Sequence, residues 1–287
     1  MVLVAALALG SAAFYALGLV LAQIGLRQQS VVAGATISLP VTALVFCAVA
    51  AFRVDPASVQ PRALAIFFGI GLLFPVSVTL LSFQGNRLLG PNLAGALGNT
   101  TPLFAVAAGI AILGDHLTPQ RALGLAIVVA GVVLLSFRGR AETRGWPATA
   151  LLIPLAAAVV RGLAQPVMKT GLSIWPDPFA ATAACYVASA ATILAIGFGR
   201  GSAHRPVWSR RAIPIFCLTG IANGMSVLLL YGALSQGQVS LVAPLVASYP
   251  LFTLAFSFVL LRGEPAGFRL VVGMAITVVG VATLLAS

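Results

Sequence analysis

The sequence predicts an all-α integral membrane protein of ten transmembrane helices, arranged as two inverted five-helix repeats. Three observations lead there. Hydrophobic residues make up 60% of the chain and charged residues 7%, with a mean hydropathy of +1.09, values outside the range of a soluble globular domain. Ten apolar runs each approach the roughly 20 residues that a span requires. A stretch in the first half of the chain then recurs, in the same order, in the second.

The runs fall at residues 2–26, 31–52, 62–82, 91–113 and 119–137, then at 148–171, 178–199, 211–232, 239–261 and 266–286. The linkers between them are too short to fold as separate soluble domains. The first run lacks the basic flank of a signal peptide and outlasts a typical h-region, so it reads as a span.

Span one carries Tyr15, Leu19 and Gln23 at intervals of four, and span six carries Arg161, Gln165 and Lys169 at the same intervals. That spacing stacks each set on one helix face. An offset of 146, which pairs Gly25-Leu26 with Gly171-Leu172, lays the two stripes over each other. Lys169 is near enough to its helix end to reach the interface. Arg161 is too deep for that. A guanidinium at such depth costs several kcal/mol unless it meets a cavity or a partner. It either bonds freed backbone carbonyls, such as that of Gly162 released by Pro166, or seats a carboxylate or phosphate with its planar fork of donors.

Span three offers Ser77, Thr79 and Gln84, and span eight offers Asn223 and Ser226. Asn223 is the strongest of these, an amide near mid-span with no turn signal beside it. Pro102 and Pro250 sit near the centres of spans four and nine, where each should free a carbonyl four residues earlier, on Gly98 and Val246, and bend the helix. Asn99, Thr100 and Thr101 precede the first proline, and Ser248 and Tyr249 the second. Irregular backbone at this depth lines a cavity or is buried in protein. The hydroxyls of Thr100, Thr101 and Ser248 have the alternative of bonding their own helix. Spans five and ten carry Gly124 with Gly131 and Gly273 with Gly280, each pair two turns apart on one face. They predict close packing, either between the two spans or across a dimer face.

The repeat pairs Leu81–Leu103 with Leu229–Leu251 at an offset of 148, including Pro102 with Pro250. At 149 it continues through Gly114-Asp115 with Gly263-Glu264, Gly124 with Gly273 and Gly131 with Gly280. Residues 1–138 and 146–287 are thus two halves. Because each has an odd number of spans, the second enters the membrane from the opposite side, as in many secondary transporters. The run Thr101-Pro102-Leu103-Phe104, Gly114-Asp115 and Gly124 to Gly131, with its second copy Tyr249-Pro250-Leu251-Phe252, Gly263-Glu264 and Gly273 to Gly280, resembles the duplicated EamA domain of the drug/metabolite transporter superfamily. The likeness covers nearly the whole chain and is weakest in spans two and seven; Asp115 stands where that family more often shows glutamate. The resemblance implies ten helices, a central substrate cavity, alternating access and a place in the plasma membrane.

The remaining composition limits function. The net charge of +11 lies mostly in loops, as in Arg138, Arg140 and Arg144, so anionic lipid headgroups rather than nucleic acid are the expected partner. Trp146, Trp175 and Trp208 fall in or beside loops, as interfacial anchors should. Cys47, Cys185 and Cys217 lack ligand spacing and read as core residues. His116 and His204 stand in separate loops, which argues against an enzyme and against a metal site. No P-loop or other cofactor signature is present, so transport is expected to be secondary, by a monomer or homodimer. All five acids, Asp55, Asp115, Glu142, Asp177 and Glu264, lie in or beside loops. A proton-coupled exporter of lipophilic cations needs a carboxylate within the membrane. The expected substrate is therefore a small neutral, zwitterionic or anionic metabolite, seated by Arg161, Tyr15, Asn99 and Tyr249 with Gln165, Thr100, Ser248 and Asn223 as further candidates. An anion-selective channel or a membrane sensor is the alternative. Odd-numbered loops hold eleven Lys and Arg residues, against four in the even-numbered loops and their flanks. That count places the termini outside, whereas the resemblance implies termini in the cytoplasm.

Overall fold

The computed structural model describes residues 1–98, 100–136, 148–199, 207–261 and 268–286. These residues are helical, with short turns between. The helices are α1 (Val2–Leu26), α2 (Val31–Arg53), α3 (Pro61–Gly71), α4 (Phe74–Gly98), α5 (Thr101–Leu113), α6 (Pro119–Ser136), α7 (Leu152–Ile174), α8 (Pro178–Phe198), α9 (Ile213–Gln236), α10 (Val239–Val246), α11 (Tyr249–Leu261) and α12 (Phe268–Leu285). Among the described residues, seven stretches are long and apolar enough to cross a bilayer, and Thr101–Leu113 and Ala275–Leu284 are shorter apolar helices.

The expected third span, 62–82, is longer and bent. It runs over Pro61–Leu89 and is broken between α3 and α4, because Pro75 has no N–H for the Gly71 carbonyl. The Ser189 hydroxyl donates to that carbonyl instead. The loop expected between 82 and 91 is also absent as a loop. Gln84, Gly85 and Asn86 are helical, and the chain reverses so tightly after them that a Cβ placed on Gly85 would lie 3.6 Å from Ala94 Cβ. Asn86, which falls in the expected linker, is here part of a helix end turned toward the interior.

Packing alternates between the two halves of the chain. Helix α1 packs on α9, α2 on α8, α6 on α12, and α4 and α5 on α7. The expected glycine seam between spans five and ten is present: a Cβ on Gly131 would lie 2.6 Å from the Thr277 nitrogen, and one on Gly280 2.7 Å from the Val128 nitrogen. Only backbone-on-backbone approach leaves so little room. Two hydroxyls brace α1 to α9 reciprocally. Ser11 Oγ donates to the Ser226 carbonyl at 2.8 Å, and Ser226 Oγ to the Ser11 carbonyl at 2.8 Å.

The contacts define two faces. On the near face, where α1 begins, Val4 meets Gly237. On the far face, where α1 ends, the Gln29 side chain accepts the Ser209 N–H at 2.9 Å, and Trp208 Nε1 donates to Thr36 Oγ1 at 3.2 Å. Trp208 is accordingly near a boundary, but Trp175 is a correction. It is buried and stacks on Phe67 with ring centroids 6.3 Å apart, because the α7 terminus turns inward over α3. Trp146 lies outside the described residues.

Candidate functional site

The break between α4 and α5 follows from Pro102. The carbonyl it orphans, on Gly98, accepts the Thr101 hydroxyl at 2.6 Å, and the neighbouring Thr100 hydroxyl donates to Leu97 at 2.7 Å. Between α10 and α11 the Ser248 hydroxyl donates to the Leu245 carbonyl at 2.7 Å. All three hydroxyl protons are therefore used within their own bends. Helix α7 lies close against the first bend because Gly162 has no side chain: a Cβ there would lie 3.0 Å from the Thr101 carbonyl oxygen and 2.7 Å from Phe104 Cβ. That approach carries the neighbouring residue, Arg161, to the middle of the molecule.

Arg161 lies over the ring of Tyr15, its Cζ 4.0 Å from the centroid, and donates to the Tyr15 hydroxyl. Among the described residues it bonds no backbone carbonyl and pairs with no carboxylate. Tyr249 meets Tyr15 edge-on, with ring centroids 4.8 Å apart at 88°. Tyr15 and Arg161 are the residues that the internal repeat aligns, so the equivalent positions of the two halves meet face to face.

This cluster forms the wall between two cavities of about 60 Å³ each, room for a few waters. Both are lined by Arg161, Tyr15, Leu19 and Ser82. The first also takes in Tyr249, Thr101, Thr253, Gln23, Asn86 and Pro154, and so reaches toward the far face. The second takes in Asn223, Ser226, Ser11, Thr79, Tyr186 and Val246. Asn86 Nδ2 and Asn223 Oδ1 are buried without a hydrogen-bond partner, one in the wall of each cavity. Unpaired buried amides are costly, and a donor in one chamber with an acceptor in the other gives each a polar group to meet a ligand.

Of the expected site residues, the structure brings Arg161, Tyr15 and Tyr249 together and sets Asn223 in the adjoining cavity. Gln165 is buried one turn from Arg161 but is not among the residues lining the two cavities. Thr100 and Ser248 stand at the bends with their protons used as described, and Asn99 lies outside the described residues. Ser82 and Asn86 are additional to the expected site residues: Ser82 is the last residue of the expected third span, and Asn86, one turn on, lies in the stretch expected as the following loop.

The near face holds a second polar group. The Asp115 carboxylate, buried after the left-handed Gly114 (φ 68°), accepts the Ser240 N–H at 3.2 Å in the first turn of α10. Arg121 donates to the Gln238 side chain. Lys169, expected to reach toward its helix end, donates its Nζ to the carbonyls of Leu234 at 2.8 Å and Gly237 at 2.6 Å, the open end of α9 on the near face. Opposite charges at the two helix termini stabilise the turn between them. Asp55 and Asp177 likewise accept N–H groups at helix starts. Among the described residues no three His, Cys, Asp or Glu side chains gather as metal ligands would.

A sequence profile described as the EamA-like transporter family matches residues 2–137 and again 148–286. A solved crystal structure of a protein 19% identical in sequence superposes with a TM-score of 0.79, covering 96% of this chain and 94% of that one; at that identity the likeness shows a shared fold. No curated protein matches in sequence.

Proposed function

We propose that this chain, which belongs to the EamA-like transporter family, is a ten-span secondary carrier that exports a small neutral, zwitterionic or anionic metabolite by alternating access. The observation that carries the reading is the position of Arg161. It is a cation on the wall of two interior cavities, held by a neutral phenol and no carboxylate among the described residues. A guanidinium so placed keeps donors free for a carboxylate or phosphate. Tyr249, Asn86 and Asn223 extend the site to either side, and the helix bends at Pro102 and Pro250 are where the surrounding helices flex. Asp55, Asp115 and Asp177 each cap a helix start, which leaves them out of a membrane-embedded cation site. The proposal includes a place in the plasma membrane, on the strength of the family likeness.

A thermal-shift screen of purified protein against a metabolite panel tests the assignment, because a specific ligand raises stability with its occupancy. The expected hits are anionic or zwitterionic, and Arg161→Ala abolishes their shift while the protein remains folded. Equal shifts in mutant and wild type, or transport of a quaternary ammonium compound as fast as any anion, would overturn the reading.

A further inference from the structure

Because Arg161 borders both cavities and has only Tyr15 as a described side-chain partner, we propose that it is a charge lock: the empty protein cannot change its facing until an anion neutralises it, so the carrier exchanges anions rather than releasing them in net. The inference rests on the carrier reading above. The first cavity extends from Arg161 toward the far face, past Gln23, Asn86 and Pro154. On the near face, four hydrogen bonds of three side chains, Asp115, Arg121 and Lys169, tie down the turn between α9 and α10. Turning the molecule over requires the far-face cavity to close, stripping water from the guanidinium, before the near-face contacts part. Desolvating an unpaired cation costs more than stacking on one phenol offsets. A bound carboxylate or phosphate supplies the missing counter-charge, and the closure becomes accessible. None of the five acids in the sequence falls within a predicted span to do this from within the protein. The lock therefore opens only for cargo that carries a carboxylate or phosphate, which narrows the proposed substrates to the anionic and zwitterionic ones.

The test needs no ligand. In a background with Cys47→Ser, Cys185→Ser and Cys217→Ser, Ser240→Cys places a thiol at a fully buried position behind the near-face contacts while keeping the backbone N–H that Asp115 holds. Its rate of reaction with a water-soluble methanethiosulfonate, in detergent, reports opening of that face. Arg161→Gln should raise the rate about tenfold or more over the unmutated site, since the resting equilibrium shifts, and Arg161→Lys should leave it unchanged. Leu19→Glu, which puts a carboxylate into both cavities beside the intact arginine, should raise it as Arg161→Gln does, and guards against a fold lost with the arginine. Asp115→Asn, which weakens the contacts directly, is the reference for an open near face. If Asp115→Asn raises the rate while Arg161→Gln and Leu19→Glu do not, the charge lock is wrong and the carrier reading stands. If Asp115→Asn also leaves Ser240→Cys unreactive, the near face does not open and the carrier reading falls with it.

Discussion

Tyr15 serves Arg161 twice, as a ring under the guanidinium and as a hydroxyl acceptor, and the two roles can be separated. Tyr15→Phe keeps the ring and deletes the hydroxyl. Ligands found by the thermal-shift screen should then bind about threefold to tenfold more weakly, the worth of one hydrogen bond. Arg161→Ala should cost on the order of 100-fold, as expected when a charge facing an anion is removed. A calorimetric titration distinguishes the two, and equal losses would mean that the hydroxyl, not the charge, recognises the ligand. This residue pair was legible in the sequence, because a deep arginine in an apolar run and a tyrosine at the matching repeat position are both conspicuous. Asp115 and Lys169 were not. Their partners are backbone groups at Ser240, Leu234 and Gly237, and no pattern in a sequence marks which helix end lies beside a given side chain.

At the scale of the helix, small residues decide how near two backbones come. The seam of α6 and α12 is closed by Gly131 and Gly280, so Gly280→Leu should force the helices apart and cost about 1–3 kcal/mol, the range for an overpacked interior. Ala282→Leu, on the exposed side of α12, should cost little. Thermal denaturation of the two purified variants compares them, and matching midpoints would show that the seam tolerates bulk. The sequence placed this seam correctly through a seven-residue glycine spacing, and it placed the carbonyl freed by Pro102. It misplaced the end of the third span, because Gly85, Asn86 and Arg87 resemble a linker by composition. A polar residue that faces an internal cavity and one that faces bulk water are the same letter, and only the packing of the rest of the chain distinguishes them. Trp175 failed for the same reason: a tryptophan at a helix end is an anchor only if nothing covers it.

For the molecule as a whole, the pairing of α1 with α9, α2 with α8 and α6 with α12 means that neither half of the chain holds a complete interior. Residues 1–138 expressed alone should be degraded or aggregate, and so should residues 146–287, whereas the two expressed together should yield a complex that copurifies. Survival of either half as a monodisperse species would contradict the interleaving. The facing of the assembly follows from one further measurement. A reporter fused after Ser287 that is active only in the cytoplasm should be active if the family likeness governs insertion, and silent if the excess of arginine in the odd-numbered loops does.

The encounter of Tyr15 with Arg161 has a consequence for how such a chain could have arisen. Were the two halves identical, the axis relating them would set each of these residues against its own copy, and two guanidiniums in contact at that depth would repel. A tyrosine opposite an arginine is possible only once the halves are free to diverge within a single polypeptide. That divergence gives the centre of the molecule a handedness which a self-matched pair cannot have: cargo arriving there meets a cation on one flank and an aromatic ring on the other, and is held in one pose rather than two.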